Sequence, residues 1–190
     1  MRLSEENILD ILKDYNVIEE GHFLLSSGLH SDKYVQCARL FQYPEISGGI
    51  CQELASKLKG YKIDKVVGPA MGGILPAYEI SRSIGKPNIF AEREKGKMTF
   101  KRGFEISDGE KILITEDVVT TGKSVLEVID QVEREGGVVT LVASLIDRSG
   151  GEVGFEVPYI SLIKLGIKNY EPSDCPLCEQ GMQLEKPGSR

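Results

Sequence analysis

Two adjacent carboxylates, Glu116 and Asp117, end an apolar run and precede a loop of threonine and glycine at residues 120–124. Carboxylates can accept hydrogen bonds from the vicinal hydroxyls of a sugar. The loop opens a segment of helical periodicity, where free backbone N–H groups and the helix dipole favour an anion such as phosphate. Taken alone, the acids or the threonines fit an ordinary strand end and helix cap. Together they favour a ribose 5-phosphate site.

Two better-known phosphate motifs do not fit the chain. The tripeptide at residues 122–124 is Gly-Lys-Ser, but a P-loop also needs a glycine five positions earlier, where Asp117 stands. Residues 68–73 read Gly-Pro-Ala-Met-Gly-Gly, which lacks the spacing of a dinucleotide-binding motif. We interpret this second glycine-rich turn as a smaller anion-binding nest.

The elements that must position these loops alternate along the chain. Apolar runs rich in valine and isoleucine predict strands at residues 65–68, 88–92, 111–117 and 138–146. Apolar spacing and end signals predict helices at residues 5–15, 44–60, 74–84 and 123–135. The alternation indicates an α/β fold with a central parallel sheet flanked by helices. Ligands of such sheets bind at the carboxyl ends of the strands, so the loops should meet there.

Size and charge limit the remaining classes. The chain has 190 residues, 41% of them hydrophobic, which predicts one domain with a core at about residues 40–155. The flanking segments 1–39 and 156–190 do not fit the alternation, and we predict that they form a small hood over the site. A net charge of −6 argues against a nucleic-acid partner. The acidic start and the absence of a long apolar run predict a soluble, cytoplasmic protein without a membrane partner.

A Cys-x-x-Cys pair near the end of the sequence is open to several interpretations. Cys175 and Cys178 could belong to a structural tail, half of a zinc site or a redox pair. Zinc normally takes four ligands, and a redox motif should open a helix beside a core strand. We therefore favour a structural role.

The strand, two acids and Thr/Gly-rich loop of residues 115–124 resemble the phosphoribosyl-diphosphate motif of type I phosphoribosyltransferases. The resemblance implies that family's fold, with Glu116 and Asp117 on the ribose, residues 120–124 on the 5-phosphate and residues 70–73 near the diphosphate. The binding residues implied in this way are Ala70, Met71, Gly72, Gly73, Glu116, Asp117, Val118, Val119, Thr120, Thr121, Gly122, Lys123 and Ser124.

Further segments resemble the orotate-specific members of this family. They are residues 21–31, the 68–73 turn, and the C-terminal residues 175–178 and 186–190, the last three resembling one bacterial and archaeal branch. Arg148 matches the arginine that pairs with the orotate carboxylate, and a guanidinium fork suits a planar carboxylate. Thr120 is implied as a second orotate contact. Without the resemblance, Arg148 would fit a surface position equally well.

Residues 93–102 carry five cations and one acid, and resemble the family's mobile catalytic loop, which in the dimer reaches into the neighbouring site. Charge runs are usually solvated faces. The resemblance makes Arg93, Lys95 and Lys97 catalytic residues together with Asp117. Many relatives have a histidine in this loop, whereas the histidines here are His22 and His30, so Lys97 is placed at that position.

A further departure from the family is Gly72, where other relatives place a lysine on the diphosphate. Lys33 or the catalytic loop is expected to compensate for it.

The resemblance implies a Mg²⁺-dependent transfer of the phosphoribosyl group to orotate by a homodimer with shared active sites. The metal is expected to be held mainly through the substrate, so no residue is predicted as a direct ligand. Two alternatives stay open: transfer to a purine base, and a regulator that senses phosphoribosyl diphosphate without catalysis.

Overall fold

The structure is a computed structural model that describes residues 3–25 and 27–187. Ser26 and residues 188–190, which belong to two segments of the family resemblance, lie outside the described residues. The helices are α1 (Glu5–Asp14), α2 (Pro44–Lys57), α3 (Ile74–Ile84), α4 (Lys123–Arg134) and α5 (Pro176–Glu179). The strands are β1 (Ile18–Leu24), β2 (His30–Val35), β3 (Lys65–Pro69), β4 (Asn88–Glu94), β5 (Lys97–Thr99), β6 (Lys111–Val119), β7 (Val138–Asp147), β8 (Tyr159–Lys164) and β9 (Asn169–Tyr170). Short 3₁₀ turns cover Cys37–Gln42 and Pro172–Asp174.

A six-stranded main sheet runs in the order β5-β4-β3-β6-β7-β8. Its strands are parallel except for the antiparallel β4–β5 pair. Successive residues of a strand point to opposite faces, so Leu113 packs with α1, α2 and α3, whereas Ile112 and Ile114 pack with α4. Helices therefore cover both faces, and the predicted α/β class is confirmed.

The predicted helices and strands of the core are all present. Helix α3 has the predicted bounds, because Gly85 adopts a left-handed conformation and ends it. Helix α1 begins at the predicted cap, where the Ser4 hydroxyl accepts a hydrogen bond from the Asn7 backbone N–H. The four predicted strands appear with small extensions at their carboxyl ends.

The segments outside the predicted core contain strands that the sequence did not indicate. Strand β8 pairs in parallel with β7, so the main sheet extends into residues 156–190, which we had placed in the hood. A separate small sheet, β1-β2-β9, joins the two flanking segments. Because the main sheet takes up part of the C-terminal segment, the exact division into core and hood stays a prediction. Within the described ranges, none of the helices is long and apolar enough to span a bilayer.

Candidate active site

Three loops meet at the carboxyl edge of the main sheet because of its strand order. Strand β3 lies beside β6 with Val67 opposite Ile114, and β7 lies on the other side with Asp147 opposite Val119. The turn after β3, the acids and loop at the end of β6, and the residue after β7 are therefore neighbours. We name residues 120–124 the phosphate loop and residues 70–73 the diphosphate loop.

The two acids occupy different environments. Glu116 is buried, with 8% of its surface exposed, whereas Asp117 is half-buried. Burial, with a smaller contribution from the neighbouring Asp117, raises the pKa of Glu116 to about 9. The Asp117 backbone N–H donates to Glu116 Oε1 at 3.1 Å, and the Val118 N–H donates to Asp117 Oδ1 at 2.8 Å. At neutral pH the Glu116 carboxyl group therefore holds its proton and can donate as well as accept.

The phosphate loop is shaped by Gly122. Its φ of 72° lies in the left-handed region, and a Cβ atom at this position would lie 2.7 Å from Val153 Cγ1. Helix α4 starts directly after this glycine, which has no side chain to cap it, and the Thr121 hydroxyl accepts a long hydrogen bond of 3.5 Å from the Lys123 N–H. The loop lines a cavity of about 70 Å³ together with Glu116 and Val125. An uncapped helix start that faces a small cavity is suited to a phosphate group.

The diphosphate loop packs directly against Asp117. A Cβ atom on Gly72 would lie 2.6 Å from Asp117 Oδ1, so the loop and the acid are in contact. The turn is closed by the Gly73 N–H, which donates to the Pro69 carbonyl at 2.9 Å, and it leaves Met71 exposed. A lysine at position 72, as in other relatives, would require Asp117 to move. Lys33 Nζ lies 3.6 Å from Asp32 and pairs with this acid in the structure. Its expected role in compensating for the missing lysine at position 72 therefore stays a prediction.

Arg148 follows β7 and carries a buried polar atom without a partner. Its backbone N–H donates to the Val119 carbonyl at 2.8 Å, which fixes it beside the phosphate loop. Burial lowers the pKa of its guanidinium group, and in the described chain no acceptor lies within hydrogen-bonding reach of Nε. Buried donors are almost always paired in folded proteins. The unpaired Nε is therefore free to donate to an acceptor from outside the described chain.

Two residues near this arginine were missed by the sequence analysis. Tyr34 and Cys37 lie close enough to Arg148 to affect the pKa of its guanidinium group. Cys37 also lies close to Asp117 and Glu116. Burial raises the pKa of the Cys37 thiol, with Asp117 adding to the effect. No motif marks these residues, because their position depends on how the β1–β2 hairpin folds back over the sheet.

The basic segment 93–102 forms the β4–β5 hairpin, with Lys95 and Gly96 at its turn. Three of its cations pair within the hairpin or with α4: Arg93 bonds Glu127 and the Gly96 carbonyl, Lys101 bonds Glu94, and Arg102 bonds Glu92. Lys95 and Lys97 are exposed and have no ion pair among the described residues.

Lys95 and Lys97 line a groove beside Gln131 and Arg134. With a rise of about 1.5 Å per residue, Gln131 lies about 12 Å along α4 from the phosphate loop. The structure thus brings together the acids, both loops and Arg148, but it does not bring these two lysines to the phosphate loop of the same chain.

Comparison with known proteins agrees with this geometry. Residues 42–164 match the family described as the phosphoribosyl transferase domain. The chain aligns with UMP synthase of Leishmania donovani at a TM-score of 0.74 and 26% identity, over 86% of this chain and 37% of that longer one. The fold and the site thus define a phosphoribosyltransferase.

Curated relatives identify the branch. The chain is 55% identical to an orotate phosphoribosyltransferase from Caldanaerobacter subterraneus subsp. tengcongensis, over 99% of both chains. It is 53% identical to an orotate phosphoribosyltransferase from Thermotoga maritima, over 96% of this chain and 98% of that protein. The chain belongs to the orotate phosphoribosyltransferase family. The sequence-based assignment to this family of pyrimidine-biosynthesis enzymes, with its type I fold, is confirmed.

Proposed function

We propose that this chain transfers the 5-phosphoribosyl group of phosphoribosyl diphosphate to orotate, giving orotidine 5′-monophosphate and diphosphate, through the residues gathered at the carboxyl edge of the main sheet. The observation that carries the residue assignment is the buried, unpaired Nε of Arg148 beside the phosphate loop. A carboxylate ligand such as orotate would give this donor its acceptor, whereas a purine base has no carboxylate to offer.

The sugar phosphate fits the neighbouring groups. The 5-phosphate would accept hydrogen bonds from the free N–H groups at the start of α4 and from the hydroxyls of Thr120, Thr121 and Ser124. The ribose hydroxyls would lie on Asp117 and Glu116, of which the protonated Glu116 can donate to a hydroxyl oxygen. The N–H groups of the diphosphate loop would face the leaving group, since this loop touches Asp117. Thr120 would form a second contact to the base.

Magnesium suits this donor set without a dedicated protein cage. Mg²⁺ prefers hard oxygen ligands and usually keeps waters and substrate oxygens in its shell, bound through one or two carboxylates. Asp117 would lie between the proposed ribose and diphosphate positions, while Glu116 is buried and its raised pKa favours the protonated form. When bound, the ion would neutralise charge that develops on the departing diphosphate.

The exposed lysines favour a shared active site. Lys95 and Lys97 line a groove beside Gln131 and Arg134, two to three turns along α4 from the phosphate loop of their own chain, and this separation supports a role at a neighbouring subunit. Arg93 is held by Glu127 and supports the hairpin that presents them. In a homodimer, they would add positive charge at the diphosphate of the partner's site. A cytoplasmic location stays a prediction from composition.

Supplying acceptor bases singly tests the proposal. Diphosphate release should require Mg²⁺ and phosphoribosyl diphosphate, and should occur with orotate but not with adenine or hypoxanthine. Release with a purine, unaffected by Arg148→Ala, would instead indicate a purine phosphoribosyltransferase. Binding of the sugar diphosphate without release for any base would indicate a sensor.

A further inference from the structure

Four side chains outside the active site converge at the contact between the two flanking segments. His22 on β1, His30 on β2, and Cys175 and Cys178 around the start of α5 each place one potential ligand atom within 4.8 Å of all the others. His22, His30 and Cys175 are buried, while Cys178 is exposed. These residues include both histidines of the chain and two of its four cysteines.

The separations between these atoms are close to those of a tetrahedral zinc site. Zn–N bonds of about 2.0 Å and Zn–S bonds of about 2.3 Å place neighbouring nitrogen and sulfur ligands about 3.5 Å apart. Cys175 Sγ lies 3.5 Å and Cys178 Sγ 3.7 Å from His22 Nε2, and Cys178 Sγ lies 3.4 Å from His30 Nδ1. The two ring nitrogens are 2.8 Å apart, and a bound ion would widen this pair by about 0.5 Å.

A hydrogen bond sets the tautomer of one histidine. His22 Nδ1 lies 3.0 Å from the Met182 carbonyl oxygen. A carbonyl can only accept, so Nδ1 carries the proton and Nε2 presents its lone pair to the centre of the cluster. Metal-bound histidines commonly donate their second ring N–H in this way, which orients the ring. The cluster therefore has an outer contact as well as four ligand atoms.

We propose that His22 Nε2, His30 Nδ1, Cys175 Sγ and Cys178 Sγ bind a structural zinc ion. The two thiols lose their protons to solvent on binding, so the two thiolates balance the charge of the ion. Two neutral imidazoles complete a four-coordinate site with no open position, as structural zinc sites have. The Cys-x-x-Cys motif offers only two of the four ligands that zinc normally takes, and the two histidines from the other end of the chain supply the rest.

The site would fasten the hood. Strands β1 and β2 bind the C-terminal segment by few hydrogen bonds, among them Leu24 N–H to Glu185 O and Glu185 N–H to His22 O, both 2.8 Å long. Zinc would add metal–ligand bonds between the N-terminal and C-terminal segments. These segments are far apart in sequence, since His22 and its hydrogen-bond partner Met182 are separated by 160 positions. A redox pair needs only the two cysteines, whereas four ligand atoms within 4.8 Å of one another are what a metal ion requires.

The full-length chain, purified without a metal-affinity tag, provides the test. We expect about one zinc ion per chain by elemental analysis, and cobalt substitution should give the thiolate-to-metal absorption of a tetrahedral site. Zinc-edge X-ray absorption should report two sulfur and two nitrogen ligands. Zinc should be lost from Cys178→Ser, whose side chain is exposed and whose replacement should leave the fold intact, and retained in the control Cys51→Ala. Chelator should lower the melting temperature of the wild type but not of Cys178→Ser.

Other results would overturn the proposal. They are a chain that takes up no zinc or cobalt when reduced, a Cys175–Cys178 disulfide in the protein as purified under reducing conditions, or zinc retained at full occupancy in Cys178→Ser. Diphosphate release plays no part in these measurements, so the outcome is independent of the proposed activity.

Discussion

Two ionisable residues of the site, the buried Glu116 and the half-buried Arg148, have no oppositely charged partner in the described ranges. Burial is the main cause of both pKa shifts, upward for the acid and downward for the guanidinium. Such isolated groups are costly to a fold and frequent at functional sites. In this chain the ligand would supply the partners: ribose hydroxyls for Glu116 and a carboxylate for Arg148.

The raised pKa of Glu116 predicts how stability depends on pH. The folded chain holds this proton up to about pH 9, whereas the unfolded chain releases it near its ordinary pKa of 4.5. Stability should therefore fall as pH rises between these values, by up to about 1.4 kcal/mol per pH unit from this group. Glu116→Gln should remove that dependence. Denaturant unfolding at several pH values compares the variant with wild type and with Glu133→Gln, an exposed control. Equal pH slopes for wild type and Glu116→Gln would contradict the assignment.

Removing the Arg148 side chain should affect one substrate selectively. Loss of a charged partner to a buried carboxylate costs about 2–5 kcal/mol, which corresponds to a rise in KM for orotate of about 30-fold or more. The KM for phosphoribosyl diphosphate should change much less. Steady-state kinetics of Arg148→Ala measure both constants, with Arg82→Ala as a control because Arg82 is an exposed arginine paired with Glu79. A similar rise in both constants would argue against a base-site arginine.

Among the elements, the junction of β6 and α4 does most to build the site. The strand carries the acids to the sheet edge, the left-handed Gly122 reverses the chain, and this N-cap glycine offers no side chain to cap the helix. This region was predictable because strand, acids, loop and helix are contiguous in sequence. The site residues from β2 and the following turn were not, since their proximity depends on pairings between distant segments.

The same distinction explains the missed strands. Strand β8 has a short apolar pattern within the predicted hood, and only its pairing with β7 makes it part of the main sheet. Strand β9 has two residues and gives almost no periodic signal. By contrast, α3 and α4 were predicted because glycines at their C-terminal ends and regular apolar spacing mark them locally.

A substitution at Gly122 tests whether this glycine shapes the junction of β6 and α4. Gly122→Ala should destabilise the chain by more than the roughly 1–2 kcal/mol of a left-handed non-glycine residue, because its Cβ would also meet Val153. Gly85→Ala is the matched control, since Gly85 has a similar φ at the end of α3 with open space around it. Denaturant unfolding measures both, and the KM for phosphoribosyl diphosphate should rise only in Gly122→Ala. Equal destabilisation, with both KM values unchanged, would contradict this role of the loop.

For the whole molecule, the separation of the lysines from their own phosphate loop predicts complementation between subunits. One variant carries Lys95→Ala and Lys97→Ala, the other Asp117→Asn, and each alone should be inactive. Random mixing makes about half of the dimers mixed, each with one intact site, so activity should return to about a quarter of wild type. Diphosphate release after subunit exchange measures the recovery, and mass spectrometry measures the mixed dimer.

A second pair of variants serves as the control for subunit mixing. Asp117→Asn and Arg148→Ala both damage the part of the site built by one chain, so their mixed dimer should have no intact site and no recovery. If mixed dimers of the first pair form but activity stays at the parental level, the lysines act within their own chain or take no part in catalysis.

The small sheet β1-β2-β9 has a consequence for the order in which its strands pair during synthesis and refolding. A ribosome completes β1 and β2 long before β9 and Glu185, which pair with them, leave the exit tunnel. Until then the hairpin exposes an unpaired edge, which is a site where nascent chains can associate wrongly. Pairing between distant segments is also slow, so the amides that join β2 to β9 should gain protection after those of the local β1–β2 hairpin during refolding. Pulsed hydrogen exchange would show this order, and protection of the β2–β9 pairing before the hairpin would contradict it.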